Sequence, residues 1–278
     1  MKILETVTQL RAQLASHNSS KIGFVPTMGA LHAGHVSLVD CARRECDIVV
    51  VSIFVNPTQF NDKGDLATYP RTPQEDTSLL EKSGVDYILM PSIEEIYPTA
   101  DNRIFDFGNK DKVMEGASRP GHFNGVAQVV SRLFEIVKPT KAYFGEKDFQ
   151  QIAIIRTMVE MLNIDVEIVD CPIVRDVDGL ALSSRNMLLT SEHRAAAPQI
   201  YRALCHGVEL SATLSPKEVK ESVVAQINNN PLLEVIYFSI VESRSLQEVG
   251  SWSDGSAIQG CITVQAGAVR LIDNIKFR

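Results

Sequence analysis

At 278 residues, with 45% hydrophobic and 22% charged content, the chain has an ordinary soluble composition and enough length to bury two cores. Its longest apolar run, Ile48 to Val55, is interrupted by Ser52 and is too short for a membrane span, so no membrane segment is expected. A net charge of −7 without a cluster of Lys and Arg argues against nucleic-acid binding, so an anionic substrate has to meet local positive groups.

The N-terminal stretch MKILETVTQLRAQL mixes charges among its apolar residues, which predicts an amphipathic helix rather than a signal peptide and places the protein in the cytoplasm. IGFVP within Lys21–Thr27 is strand-like. VSLVDCARREC repeats apolar residues at helical spacing, and DIVVVSIFVNP is a β-branched run typical of a strand buried on both faces. TPQEDTSLLEKSG predicts a helix with Thr72 as N-cap, Pro73 in the first turn and Glu75 completing a capping box. The strand VDYILMP, the helix VAQVVSRLFEIV, the strand KAYFG, the helix DFQQIAIIRTMVEMLN and the strand VEIVDCP follow. This alternation predicts an α/β fold, a doubly wound Rossmann-like parallel sheet over residues 1–172. Residues 173–278 read differently, with two helices, the first interrupted by Pro198, and three strands that predict a smaller α+β domain. The five cysteines, Cys41, Cys46, Cys171, Cys205 and Cys261, share no metal or disulfide spacing and read as reduced thiols.

Ligands of a doubly wound sheet sit beyond the carboxyl ends of its strands, and four loops there carry unusual chemistry. In PTMGALHAGH, glycines permit close backbone approach, and the helix that follows offers its N-terminal amides to an anion beside His32 and His35. Helix capping would explain one isolated histidine, whereas the pair favours a functional reading. His-x-x-His without a third ligand argues against zinc. In NPTQFNDKGDLATYPR, Asn56 and Gln59 are amides suited to hydroxyls and carboxylates, and 61–71 is lid-like. In FGEKDFQQ, Lys147 is placed to meet phosphate as a point charge, and one of Gln150 and Gln151 faces the pocket. In RDVDGLALSSRNMLL, Asp178-Gly179 marks a turn before the donors Ser183, Ser184 and Arg185.

PTMGALHAGH, NPTQF, YPR, MEGASRPGHFNGV, FGEKDFQQ and LSSRN together resemble the pantoate–β-alanine ligase family, within the wider HxGH nucleotidyltransferase superfamily, over nearly the whole chain. The resemblance implies ATP-dependent, magnesium-assisted formation of pantothenate from pantoate and β-alanine through a pantoyl-adenylate, by a cytoplasmic homodimer. It implies catalytic roles for His35, His32 and Lys147. An ATP site is implied at Met28, Gly29, Ala30, Leu31, His32, Ala33, Gly34 and His35, at Gly145, Glu146, Lys147 and Asp148, and at Val174, Leu182, Ser183, Ser184 and Arg185. Gln59 and Gln151 would hold pantoate, with Gln59 also at β-alanine. Asn56 belongs to the same amide-lined loop, and Asp76 matches a position near magnesium. Two other classes stay open. A nucleotidyltransferase acting on a phosphorylated acceptor calls for a Lys- and Arg-rich acceptor site, and a non-catalytic nucleotide-binding module would not require both histidines, Lys147 and the Ser-Ser-Arg segment together.

Overall fold

The computed structural model describes residues 1–17, 19–60 and 63–278. The chain begins with β1 (Lys2–Leu4), α1 (Val7–Leu14), β2 (Ile22–Thr27), α2 (Ala33–Glu45) and β3 (Ile48–Ile53), then α3 (Lys63–Thr68), α4 (Pro73–Lys82) and β4 (Tyr87–Leu89). Two short helices, α5 (Ile93–Ile96) and α6 (Met114–Ser118), precede α7 (His122–Val137), β5 (Lys141–Gly145), α8 (Phe149–Leu162) and β6 (Glu167–Cys171). The remainder forms α9 (Ser191–Ala196), α10 (Gln199–Leu210), α11 (Pro216–Asn228), β7 (Glu234–Glu242), β8 (Ile258–Ala266) and β9 (Val269–Lys276).

The first six strands form one parallel sheet in the order β1-β4-β3-β2-β5-β6. Val49, Val50 and Val51 are wholly buried, as expected of a central strand covered on both faces. Helices α1, α7 and α8 cover one face, and α2 and α4 the other. The strand order reverses beside β2. There β2 pairs with β3 along its whole length, from Ile22–Ile48 to Thr27–Ile53, but with β5 only at Gly23–Lys141 and Phe24–Ala142. Beyond Phe24 the two strands part, and a crevice opens at the topological switch point.

The other sheet is antiparallel, ordered β7-β8-β9, and packs its own core against α10 and α11. Pro198 separates α9 from α10 because it supplies no amide hydrogen to a continuous helix. The two sheet systems meet around Met114, Val241, Leu246 and Cys261. Beside that contact, Glu115 Oε1 accepts from the hydroxyls of Tyr237 (3.1 Å) and Thr263 (2.7 Å) and from Arg270 (2.6 Å). Burial works to raise the Glu115 pKa, and the Arg270 bond and charge outweigh it, leaving the carboxyl below its usual range.

Three expectations change, and one short helix was not foreseen. The N-terminus is not helical throughout: Lys2–Leu4 extends the sheet beside β4. Helix α1 starts only at Val7, where Thr6 and Gln9 form a capping box. Thr72 does not cap α4; its hydroxyl donates to Asp76 (3.0 Å) instead, because that carboxylate is buried one turn away. The long loop after β3 contains a 3₁₀ turn, Pro57–Gln59, and α3; Asn61 and Asp62 of the expected lid lie outside the described residues. Helix α6 is five residues long, too short to display a period. All five cysteines are free thiols.

Candidate functional site

The parted ends of β2 and β5 open onto one crevice. Pro26, Thr27 and Met28 stand on one side, and Phe144, Gly145 and Lys147 on the other. Val126, Val129, Val130 and Leu133 of α7 form an apolar wall, since this stripe recurs at helical spacing.

The turn after β2 is held from three directions. Thr27 Oγ1 donates to the Ser52 carbonyl (2.7 Å). Asp76 accepts from the amides of Ala30 (2.9 Å) and Leu31 (2.7 Å). Ser184 Oγ donates to the Ala30 carbonyl (2.9 Å). Gly29 has φ +82°, and a Cβ there would stand 3.0 Å from Asp76 Oδ2, so its lack of a side chain admits the carboxylate. Ala30 also lies in the left-handed region (φ 49°), a conformation that costs a non-glycine residue energy and is sustained by those bonds.

This turn delivers His32 to the N-cap of α2. His32 Nδ1 accepts from the Gly34 amide (3.1 Å), and His35 Nδ1 accepts from the His32 amide (3.3 Å), the two halves of a capping box. The capping and functional readings therefore coexist in the same rings. Since both Nδ1 atoms accept, each ring carries its proton on Nε2, the nitrogen left for a ligand. The helix does not present these amides to an anion directly; the imidazoles take them up and offer N–H groups in their place. Burial, followed by the Lys147 charge, lowers the His32 pKa to about 4. Burial, then His32 and Lys147, lowers that of His35 to about 3.

Both rings are therefore neutral donors at physiological pH, and the direction of the pH effect follows. Their folded pKa values lie below the unfolded value of about 6.5. As pH falls through 6.5 the unfolded chain takes up protons that the folded chain refuses, so stability declines toward pH 3–4. Denaturant midpoints measured from about pH 7.5 to about 4.5 are expected to fall on the acid side. Substitution of both histidines by Gln should make that part of the profile shallower, the remainder coming from His122, whose pKa burial also lowers to about 4; an unchanged slope would refute neutral histidines at positions 32 and 35.

Lys147 sits in the 3₁₀ turn after β5. Its ammonium reaches Asp148 at 3.4 Å, a long ion pair that leaves it available to a ligand. Arg185 is engaged: its guanidinium grips the Asp65 carboxylate of α3 (closest 2.9 Å) and lies over the Tyr69 ring. Ser183 Oγ accepts from the Arg185 amide.

Among the amides, Gln59 and Gln151 line the crevice. Gln59 Nε2 contacts the Met28 sulfur (2.9 Å), and its backbone carbonyl accepts from His122 Nδ1 (2.7 Å). Gln151 has no side-chain hydrogen-bond partner among the described residues, whereas Gln150 is spent on Lys110, Val113 and Glu115. Of the pair, Gln151 is thus the one that faces the pocket. Asn56 lies behind the crevice, its amide shared among Thr58, Tyr97, Gln59 and the Gly125 carbonyl.

Of the other expected residues, Gly34, Asp148, Val174, Leu182, Ser183, Ser184 and Arg185 line the crevice with those above. Gly29, Ala30, Leu31, Ala33 and Glu146 shape its loops without lining it, and Asp76 is turned into loop backbone. Among the described residues no group of three or more His, Cys, Asp or Glu is placed to hold a metal. Sequence reasoning missed Tyr69, the α7 wall and Asp65. It also left His122 without a role; Arg119 donates to His122 Nε2 (3.2 Å), and this relay steadies the Gln59 backbone. Among the described residues the crevice thus offers neutral N–H donors, one loosely paired cation, hydroxyls, two amides and an apolar wall. This set suits a polyphosphate next to a small polar acid with apolar substituents.

Comparison with known proteins agrees. A family model described as pantoate-beta-alanine ligase matches residues 2–276. A pantothenate synthetase of Porphyromonas gingivalis is 56% identical over all of this chain and 99% of that protein, and one of Bacteroides fragilis is 54% identical with the same coverage. The crystal structure of pantothenate synthetase from Thermus thermophilus superimposes with a TM-score of 0.94 at 43% identity, covering 100% of this chain and 99% of that one. A pantoate-beta-alanine ligase from Francisella tularensis, complexed with beta-gamma ATP and beta-alanine, gives 0.84 at 37% identity, covering 100% and 98%.

Proposed function

The chain belongs to the pantoate–β-alanine ligase family, and on that premise we propose how its residues carry out the ATP-dependent joining of pantoate to β-alanine. The observation that carries the assignment is the convergence, at one switch-point crevice, of the His32–His35 donors and Lys147 with Gln59 and Gln151 against an apolar wall.

Pantoate enters with its carboxyl, pKa about 4, already ionised, so attack on the α-phosphorus of ATP needs no general base. Gln59 and Gln151 hold its hydroxyls and carboxylate, and the α7 valines receive its two methyl groups. In-line displacement forms the acyl–phosphate bond and breaks the bond to pyrophosphate. His32 and His35 Nε2–H, Lys147 and Ser183 donate to the phosphate oxygens on which charge grows, and Arg185 joins them by exchanging Asp65 for phosphate. The β-alanine amine, having lost one proton to solvent or to the adenylate phosphate, then attacks the acyl carbon; its second proton passes to solvent or to the departing AMP phosphate as the amide forms and AMP leaves. The histidines act as donors there too, since their Nε2 atoms hold protons.

Asp76 does not fit a magnesium cage, because both its oxygens accept loop amides. We place magnesium with the incoming triphosphate, as part of the substrate, where it neutralises phosphate charge. Residues 1–172 form the nucleotide- and pantoate-binding unit, and 173–278 the smaller unit that closes over it. A homodimer in the cytoplasm completes the proposal; among the described residues no helix is long and apolar enough to cross a membrane.

Exchange of labelled pyrophosphate into ATP, with magnesium and without β-alanine, tests the reading. Exchange that depends on pantoate supports it. Exchange indifferent to pantoate, or none from a chain that binds ATP, would point to another acceptor.

A further inference from the structure

Among the polar groups outside the crevice, the pair Asp273 and Asn274 is unusual: both are buried, at 5% and 3% exposure, in the middle of strand β9. Asp273 has an evident partner in Arg175, whose guanidinium makes a two-pronged ion pair with it (2.6 and 2.9 Å) and stacks on Tyr201. Asn274 reaches in the other direction, toward β5. Its Nδ2 donates to the carbonyls of Glu146 (2.8 Å) and Lys147 (3.0 Å). Its Oδ1 accepts from Gln259 Nε2 (2.7 Å), which fixes the orientation of the amide.

Those two carbonyls belong to the peptide units on either side of the Lys147 Cα. Holding both planes fixes φ and ψ of Lys147, and with them the direction in which its side chain leaves the backbone. The 3₁₀ turn that contains Lys147 has no side-chain cap of its own, so this bond pair from the other sheet supplies the restraint. We propose that Asn274 is a positioning residue for the adenylation step: it acts through Lys147 by locking the two peptide units that aim the ammonium at the phosphates. This rests on the role given to Lys147 above.

The test is a double-substitution cycle on the full-length protein, read by pantoate-dependent pyrophosphate exchange. Asn274→Ala is expected to lower the exchange kcat by about 10- to 100-fold, the cost of a misplaced charge. The KM for pantoate should stay within about twofold, because Gln59 and Gln151 are not held by Asn274. Asn274→Asp, nearly identical in volume, removes both donors and should lose activity similarly; it keeps the test alive if the alanine variant folds poorly. In a Lys147→Ala background, Asn274→Ala should cost less than about twofold more, whereas a general loss of structure would cost the same in either background. Full additivity, or an Asn274 variant with normal kcat, overturns the proposal alone. If Lys147→Ala itself exchanges normally, the phosphate role of Lys147 fails first and the proposal fails with it.

Discussion

Replacing Lys147 with alanine is expected to slow pantoate-dependent pyrophosphate exchange by about 10²- to 10³-fold, the usual cost of removing one well-placed donor to developing charge. The neighbours of Lys147 explain why it carries so much. His32 and His35 are neutral and donate hydrogen bonds without bringing charge. Arg185, the other cation lining the crevice among the described residues, must release Asp65 before it can serve a phosphate. Among the described residues the Lys147 ammonium is paired only with Asp148, at 3.4 Å, and its side chain is 18% exposed, so its field acts in a medium less screened than water. The negative charge on the phosphate oxygens grows as pyrophosphate departs, so the loss should fall mainly on kcat. Lys147→Arg should recover only part of it, because a planar fork does not reproduce a compact point charge. Steady-state exchange kinetics decide: an effect confined to the KM for ATP would show that Lys147 holds the nucleotide without favouring its transition state.

The second large effect is expected at Asp76, where two roles make opposite predictions. As the anchor of the turn after β2, Asp76 is 2% exposed, and removing it orphans the Ala30 and Leu31 amides. One buried and one half-buried donor without partners cost about 2–5 kcal/mol together, and a chain of this size should lose roughly 5–15 °C in Tm. Asp76→Asn should share the defect, since its NH₂ faces one of the amides it would need to accept from. Activity falls as well, because Ala30 keeps only the Ser184 bond to its carbonyl and loses the amide bond that helps sustain its left-handed conformation. As a magnesium ligand, Asp76 would instead show a raised magnesium requirement with an unchanged Tm. Thermal unfolding in chelator-treated buffer separates the two, and an unshifted Tm for Asp76→Ala would defeat the anchor assignment.

Much of this site is legible before any coordinates. The strand–helix alternation places the His32–His35 turn and the Lys147 turn after neighbouring strands, and amides in strand-following segments mark Gln59 and Gln151. Residue type, however, does not reveal direction. Asn56 and Asp76 have the chemistry of ligands, yet they spend it on neighbouring backbone and side-chain groups because buried polar groups must be paired. The other omissions are pairings between distant segments: Asp65 with Arg185, His122 with the Gln59 carbonyl, and Asn274 with the Lys147 turn. No local periodicity encodes these. The one available hint was the Asp-Asn pair inside the apolar β9 sequence, where a solvent face would have been the simpler explanation.

The histidine capping box has a consequence for how this enzyme can evolve. Active-site residues are commonly a burden on the fold, so replacing them gains stability at the expense of turnover. A serine or aspartate cap would satisfy the same amide of α2 but present either no acidic hydrogen of fixed direction or a charge that repels phosphate. Imidazole alone among the side chains pairs an acceptor and a donor nitrogen on opposite edges of one rigid ring, so His32 and His35 brace the helix and, in the role proposed for them, face the substrate at once. On that proposal positions 32 and 35 offer no exchange of activity for robustness: alanine at either forfeits a cap bond, about 1 kcal/mol, together with the proposed ligand contact. Selection for a sturdier protein and selection for a faster one pull these two positions the same way.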